Sequence, residues 1–364
     1  MSNVIWQKAA KTLVKISGNP LFQANETLVN LVKTLLNEKQ AKFITYFKKA
    51  VSTFEKLKEK SGMDDKELME MLNSIMDIGV IMDFPNKDTG IMDYILLAPL
   101  PYLWEYSLVK ESRLDKKKKL AQIHEKMTEE GIELTQKNYE GIKQLFKTQF
   151  PPLTRTIPIE ETLGVPQEQT LPFYEASKII DKQDILSLSD CPCKLNSNLI
   201  EENCKVTDDI RRCFHFGNSG RFFIEHGFGE SVSKERAKEI LKAAADEGLI
   251  HKAFHYFFDP QKGEEALCNC CKCCCVVFQS YHRGIWPFHT LTSYIARLDE
   301  KKCKGCGICV EKCPIEAVSL INDKSHIDET KCIGCGVCVH HCPENARNLE
   351  KTELRNVYLP PIKR

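Results

Sequence analysis

Two copies of one cysteine motif lie near the C-terminal end of the sequence. The first copy runs from Cys303 to Pro314 and the second from Cys332 to Pro343, and both read C-x2-C-x2-C-x3-C-P with an offset of 29 residues. Three cysteines separated by two residues each can wrap one face of a [4Fe–4S] cubane, while the fourth cysteine of such a run reaches the other cluster. The spacing therefore predicts two [4Fe–4S] clusters.

Because the fourth cysteine crosses over, each cluster draws three ligands from one copy and one from the other. The ligands predicted for the first cluster are Cys303, Cys306, Cys309 and Cys342. Those predicted for the second cluster are Cys332, Cys335, Cys338 and Cys313. Glycines interleave with these cysteines, and we expect them to let the backbone approach the clusters and direct N–H groups at the sulfides. They are Gly305, Gly307, Gly334 and Gly336.

A pair of zinc sites is the alternative for these eight cysteines. Structural zinc sites commonly use two C-x2-C pairs separated by a longer loop, and a repeated triple run with a trailing C-P does not fit that pattern. Residues 300–349 resemble bacterial-type 2×[4Fe–4S] ferredoxin domains. The resemblance implies one-electron transfer and leaves the donor and the acceptor open.

The other ten of the 18 cysteines lie between positions 191 and 275. One set is Cys191, Cys193, Cys204 and Cys213, and a dense strip follows with Cys268, Cys270, Cys271, Cys273, Cys274 and Cys275. Neighbouring residues of an extended chain point to opposite sides, so this strip suits clusters on two sides or a non-cubane cluster. Either the first set binds one further cluster and four or more of the strip bind another, or each cluster draws on both sets. Zinc is the alternative metal here.

A second resemblance covers this central region. Gly248 to His251, the cysteine strip, the upstream Cys191-Pro-Cys193 and the C-terminal motif pair together look like multi-cluster ferredoxin-type proteins of anaerobic microbes. That resemblance implies further iron–sulfur clusters, up to four in total, and no particular reaction. Such a number of thiolates also indicates an anaerobic or strongly reducing cell.

The segments before the cysteines are predicted to be mostly helical. A helix from Asp64 to Asp77, a strand from Gly79 to Phe84, a turn and a return strand from Ile91 to Leu97 would form a winged-helix-like unit. From Asp65 to Asp77 this helix carries four acidic residues against the single Lys66, which opposes binding to phosphates. We therefore predict a protein-docking unit and consider nucleic acid an unfavoured partner.

The predicted fold class is α+β with five segments. A helical, winged-helix-like docking domain occupies residues 1–148, and a proline-rich linker covers 149–173. A cysteine-rich iron–sulfur domain covers 174–296, the ferredoxin domain covers 297–349, and a tail completes 350–364.

The charge balance, the apolar runs and the motifs of the sequence argue against several classes of function. Lys and Arg number 51 against 50 Asp and Glu, so no global charge marks a nucleic-acid or membrane binder. No apolar run reaches membrane-spanning length and no secretory leader is evident, which predicts a cytoplasmic protein. Dinucleotide and phosphate-loop motifs are absent.

The sequence favours a non-catalytic electron carrier, or an electron-transfer subunit of an oxidoreductase, with redox proteins as partners. The alternatives are a reductase with an open-site central cluster and a redox-sensing winged-helix regulator.

Overall fold

The computed structural model describes residues 2–18, 23–86, 89–152, 154–163, 175–255 and 263–364. These residues form a mixture of helices and sheets divided into two compact units. The first unit comprises Met1–Leu134, Leu195–Glu202 and Phe222–Glu230, and the second comprises Thr135–Lys194, Asn203–Arg221 and Ser231–Arg364. Every cysteine belongs to the second unit.

Capped amphipathic helices build most of the first unit. Asp64 caps α5 through a reciprocal hydrogen-bond pair with Glu67, and the helix buries Leu68 and Leu72 while its acidic side chains face solvent. The helices are α1 (Ser2–Ser17), α2 (Glu26–Leu35), α3 (Glu38–Ile44), α4 (Phe54–Ser61), α5 (Asp65–Met76), α6 (Trp104–Lys110) and α7 (Leu114–Lys137). A π-helical turn at Pro99–Leu103 precedes α6.

A three-stranded antiparallel sheet accompanies these helices. Its strands are β1 (Val51–Thr53), β2 (Ile81–Pro85) and β3 (Met92–Leu96), in the order β1-β3-β2. The predicted helix and the hairpin that follows it are thus present, with Asp83 opposite Tyr94 in the pairing. The winged-helix interpretation of this unit stays a prediction.

The second unit is organised around an eight-stranded sheet. Its order is β13-β10-β4-β8-β9-β6-β5-β7. The strands are β4 (Thr154–Ile157), β5 (Leu186–Ser189), β6 (Cys213–Phe216), β7 (Glu230–Ser231), β8 (Ile250–His255), β9 (Glu264–Cys270), β10 (Phe288–Leu298) and β13 (Arg347–Leu359). A separate hairpin is formed by β11 (Val318–Ile321) and β12 (Lys324–Ile327).

Eight further helices follow along the described chain. They are α8 (Tyr139–Gln149), α9 (Ala176–Asp181), α10 (Pro192–Leu199), α11 (Gly217–Glu225), α12 (Lys234–Glu247), α13 (Val276–His282), α14 (Ile308–Glu311) and α15 (Val337–His340). A 3-10 turn covers Glu160–Thr162. Helices α14 and α15 each begin directly after the second glycine of a C-terminal cysteine motif, which is the N-cap residue.

Two strands join segments that the sequence analysis separated. Residues 154–157 lie in the predicted linker, yet they form β4, a fully buried strand between β10 and β8. Residues 153 and 164–173 of that linker lie outside the described residues. Strand β10 spans the predicted boundary between the central and ferredoxin domains and pairs with β13 along its length. One sheet therefore supports both groups of cysteines.

Candidate metal centres

One cavity collects the four cysteines assigned to the second cluster. It is lined by Cys313, Cys332, Cys335 and Cys338, together with apolar residues that include Ile315 and Val337. Cys313 comes from the first copy of the motif and the other three come from the second copy. Four thiols around one apolar cavity form a donor set that fits a [4Fe–4S] cluster.

The two copies of the motif share their backbone geometry. The amide of Ala317 donates a hydrogen bond to the Cys313 sulfur at 3.2 Å, and the amide of Ala346 donates to the Cys342 sulfur at 3.3 Å. The Ala296 amide makes a further N–H···S bond to Cys332 at 3.5 Å. Such donors stabilise negative charge on a ligated sulfur and tune a metal centre.

The motif glycines all have positive φ values, from 63° to 81°. A side chain at Gly334 would collide with the carbonyl oxygen of Tyr294, and one at Gly305 would collide with that of Asp323. The sequence predicts glycine here so that the backbone can approach a cluster. The structure adds a second reason, because a neighbouring backbone segment lies against Gly334 and Gly305 and leaves no room for a side chain.

The central cysteines fall into two groups. In the first group, Cys204 lies 3.7 Å from Cys271 and 3.8 Å from Cys273, measured between sulfurs, and Cys273 lies 3.7 Å from Cys274. All four sulfurs lie within 4.8 Å of one another. We call this group the four-cysteine site; its members are Cys204, Cys271, Cys273 and Cys274.

The remaining six central cysteines influence one another's pKa in a closed ring. The pKa of Cys191 responds to Cys193 and Cys213, and that of Cys193 responds to Cys275. On the other side, strand pairing sets Cys213 opposite Cys268, the pKa of Cys268 responds to Cys270, and that of Cys270 responds to Cys275. We call this group the six-cysteine ring; its members are Cys191, Cys193, Cys213, Cys268, Cys270 and Cys275.

Both groups draw on both parts of the central sequence, which is the mixed arrangement that the sequence left open. The alternative in which Cys191, Cys193, Cys204 and Cys213 bind one cluster separates in the structure, because Cys204 belongs to the four-cysteine site and the other three belong to the ring. The dense strip is not extended throughout, because residues 272–274 form a turn and the Cys275 amide donates to the Cys271 carbonyl at 3.2 Å. Adjacent cysteines therefore need not point to opposite sides there.

Buried cations face these sulfurs, and sequence reasoning missed them. Lys252 is fully buried, and it interacts electrostatically with Cys270, Cys275 and Cys268 of the ring and with Cys335 of the C-terminal motif. Arg347, 6% exposed, interacts similarly with Cys303 and Cys338. A lysine in the middle of a segment that forms a strand, β8, was the available sequence signal.

Burial sets the protonation of the metal-free thiols. It raises the pKa of Cys338 to about 12 and that of Cys335 well above its ordinary value. Burial also lowers the pKa of Lys252 to about 8, and the neighbouring cysteines oppose this effect. Since metals bind thiolates, loading these sites must release protons.

The class of the C-terminal region follows from this geometry and from comparison with known proteins. Residues 295–343 match the family of 4Fe-4S dicluster domains. Together with the cysteine groups, this match points to an iron–sulfur protein with a role in electron transfer. Among curated proteins, Protein Pixie of Drosophila melanogaster is 58% identical over 38 residues. The matched segment is 10% of this chain and 6% of that protein. No solved structure matches the chain.

Within the described part of the chain, no helix is both long enough and apolar enough to cross a bilayer.

Proposed function

We propose that this chain is an electron-transfer protein or subunit with three iron–sulfur clusters. Two would be [4Fe–4S] clusters in the C-terminal motifs, and the third would be bound by the six-cysteine ring. An iron–sulfur cluster, when bound, supplies a reversible one-electron step. The observation that carries the proposal is Lys252, which lies opposite Cys268 in the pairing of β8 with β9 and interacts electrostatically with the ring and with Cys335.

Lys252 has few partners of its own. Its Nζ lies 3.5 Å from the Thr290 hydroxyl and 4.4 Å from the ring centroid of Phe288. Among the described residues no carboxylate pairs with it. A buried ammonium without a counter-ion is costly, and thiolate-ligated clusters on two sides would supply the missing negative charge. The charge of Lys252 would therefore favour reduction of the cluster in the ring and of the cluster bound by Cys335.

Arg347 has the corresponding position between the two C-terminal ligand sets. It acts on Cys303, assigned to the first cluster, and on Cys338, assigned to the second. Its guanidinium also donates a hydrogen bond to Ser325, whose hydroxyl contacts the Cys309 sulfur at 3.2 Å. A buried cation between each successive pair of sites would raise the reduction potentials of both neighbouring clusters.

The exposure of the cysteine ligands suggests which of the proposed clusters would exchange electrons with a partner protein. Cys306, assigned to the first cluster, is exposed, whereas Cys332, Cys335 and Cys338 are all buried. Electron transfer with a partner protein requires close approach to a cluster edge, so the first cluster would exchange electrons with the partner. The ring would then form the inner end of the path.

We further propose that the first unit serves as a winged-helix-like docking module. The exposed face of α5 carries Asp65, Glu67 and Glu70, with Lys66 as its one basic residue. That charge would repel a phosphate backbone and suits a protein partner instead. Redox partner proteins are therefore the proposed ligands of this unit.

The test is the effect of a ring variant on iron and on redox-active signals. Cys275→Ser removes a ring ligand, while Ser280→Ala alters a buried neighbour on α13 and serves as control. We expect Cys275→Ser to lose about four irons or more and one reducible EPR signal, and to keep the roughly eight irons of the C-terminal pair. Unchanged iron in Cys275→Ser, with the protein folded, would contradict a cluster in the ring.

A further inference from the structure

We propose that the four-cysteine site binds a single Zn²⁺ ion in tetrahedral geometry, rather than a [4Fe–4S] cluster. The site is separate from the proposed electron path. Its metal can therefore be identified whether or not the six-cysteine ring carries a cluster.

The distances between sulfurs carry this inference. Zinc–thiolate bonds of about 2.3 Å in a regular tetrahedron place the sulfurs about 3.8 Å apart. The sulfurs of Cys204 and Cys271 are 3.7 Å apart, those of Cys204 and Cys273 are 3.8 Å apart, and those of Cys273 and Cys274 are 3.7 Å apart. In a cubane each thiolate binds a different iron corner, so the four sulfurs must spread farther apart than the ligands of one ion.

The C-terminal motifs provide an internal comparison. Four of their cysteines, Cys313, Cys332, Cys335 and Cys338, line one cavity without clustering as tightly as those of the four-cysteine site. Within the described ranges, no other set of three or more Cys, His, Asp or Glu ligand atoms lies within 4.8 Å of one another. The same chain thus contains wide thiol arrangements and one compact arrangement, and the compact one has the dimensions of a single-ion site.

The backbone around the site supports a ligated state. The amide of Lys205 donates to the Cys273 sulfur at 3.4 Å. Amide donors of this kind offset the negative charge of a tetrathiolate site. Cys204 and Cys273 are partly exposed while Cys271 and Cys274 are buried, so the net charge of the site would retain contact with water.

The position of the site indicates what the zinc would do. Cys271, Cys273 and Cys274 belong to one turn, and the residues on either side of that turn, Cys270 and Cys275, are members of the ring. A zinc ion would fasten this turn to the irregular segment around Cys204. It would thereby fix the direction of two ring ligands, which is a structural role rather than a redox role.

Zinc is favoured over a single iron ion by coordination chemistry. Zn²⁺ has no ligand-field preference that opposes a tetrahedron, and it binds a given ligand set more tightly than Fe²⁺ does. A mononuclear iron centre would have the same sulfur geometry, so the experiment must identify the element.

The first measurement uses the intact chain, produced with both metals supplied and purified anaerobically. Zinc K-edge X-ray absorption should give one zinc per chain with a single shell of four sulfurs at about 2.3 Å. Absence of stoichiometric zinc, or zinc bound mainly through nitrogen or oxygen, would overturn the proposal. Since no substitution is involved, misfolding of a variant cannot obscure this result.

Paired variants then locate the ion. We expect Cys204→Ser to lose its zinc to a chelator at least tenfold more readily than the parent chain, with iron content and EPR signals unchanged. The matched Cys193→Ser, which alters the ring, should lose iron and keep zinc. Loss of about four irons from Cys204→Ser would overturn the zinc assignment and make the site a cluster.

Discussion

Cys213 on β6 lies directly opposite Cys268 on β9 in antiparallel register. Residues opposite each other in such a pair project from the same face of the sheet, and Cys270, two positions farther along β9, shares that face. Three members of the six-cysteine ring are therefore aligned by strand pairing. Cys191 and Cys193 after β5 and Cys275 before α13 complete the ring.

This relationship predicts that Cys213 and Cys268 serve one and the same metal centre. We expect Cys213→Ser and Cys268→Ser each to lower the iron content by one cluster, and the double variant to lose no more than either single variant. Ligands of one site are not additive, whereas ligands of separate sites are. Iron analysis with Mössbauer spectroscopy provides the measurement. A double variant that loses the sum of two separate clusters would contradict the ring.

Lys252 should raise the reduction potentials of the clusters on both sides of it. Replacing it by methionine removes a buried positive charge, so adding an electron becomes less favourable. We expect Lys252→Met to lower two midpoint potentials by on the order of 60 mV, equivalent to about 1.4 kcal/mol for one electron. An EPR-monitored redox titration measures the shift.

The matched control for that change is Lys272→Met. Lys272 is partly exposed and pairs with Glu316 at 2.9 Å, so solvent screens its charge. We expect its loss to shift the potentials far less. Equal shifts in the two variants would show that Lys252 has no special position between the clusters.

Gly334→Ala should disrupt the second C-terminal cluster. The new methyl group would meet the Tyr294 carbonyl, and the residue would also have to keep a φ of +63°. Gly62→Ala is the control, since Gly62 has a φ of +70° with no atom within 4 Å of the added carbon. We expect about 1–2 kcal/mol of destabilisation in the control, from the backbone alone. Gly334→Ala should cost more and lower the iron content. Similar unfolding energies and full iron in both would refute the steric argument.

His124 should make the first unit sensitive to acid. Its burial lowers its pKa to about 3 from 6.5, so the folded unit holds the imidazole neutral while the unfolded chain protonates it. Its contribution to stability is therefore complete above pH 6.5 and is lost as the pH falls from 6.5 toward 3. Each pH unit in that window costs up to about 1.4 kcal/mol.

The measurement is urea unfolding, followed by loss of helix, at pH 7 and pH 5.5. We expect His124→Gln to flatten the pH dependence relative to the parent chain, while a substitution of the exposed His326 by glutamine leaves it unchanged. A parent chain as stable at pH 5.5 as at pH 7 would be inconsistent with a buried neutral imidazole.

The C-terminal dicluster domain could be predicted from the sequence because most ligands of each site are close together in the chain. Within each copy, local spacing places three cysteines around one loop, and the repeat supplies the fourth. The match of residues 295–343 to dicluster domains confirms the resemblance that these residues carry.

The grouping of the central cysteines could not be predicted in the same way. Cys204 and Cys271 are 67 residues apart, and the ring depends on the register of β6 against β9. The strip also changes from strand to turn after Cys270, which removes the alternation that an extended chain would have. Strand β4 could not be predicted either, because it is formed by pairing with β10, which is distant from it in the sequence.

The most direct test of the account is a metal count combined with a redox titration of the anaerobically purified chain. Two [4Fe–4S] clusters, a further cluster in the ring and one zinc ion predict about twelve irons or more, one zinc and three reducible centres. About eight irons with only two reducible centres, from a fully folded chain, would confine electron transfer to the C-terminal motifs and contradict the proposed relay.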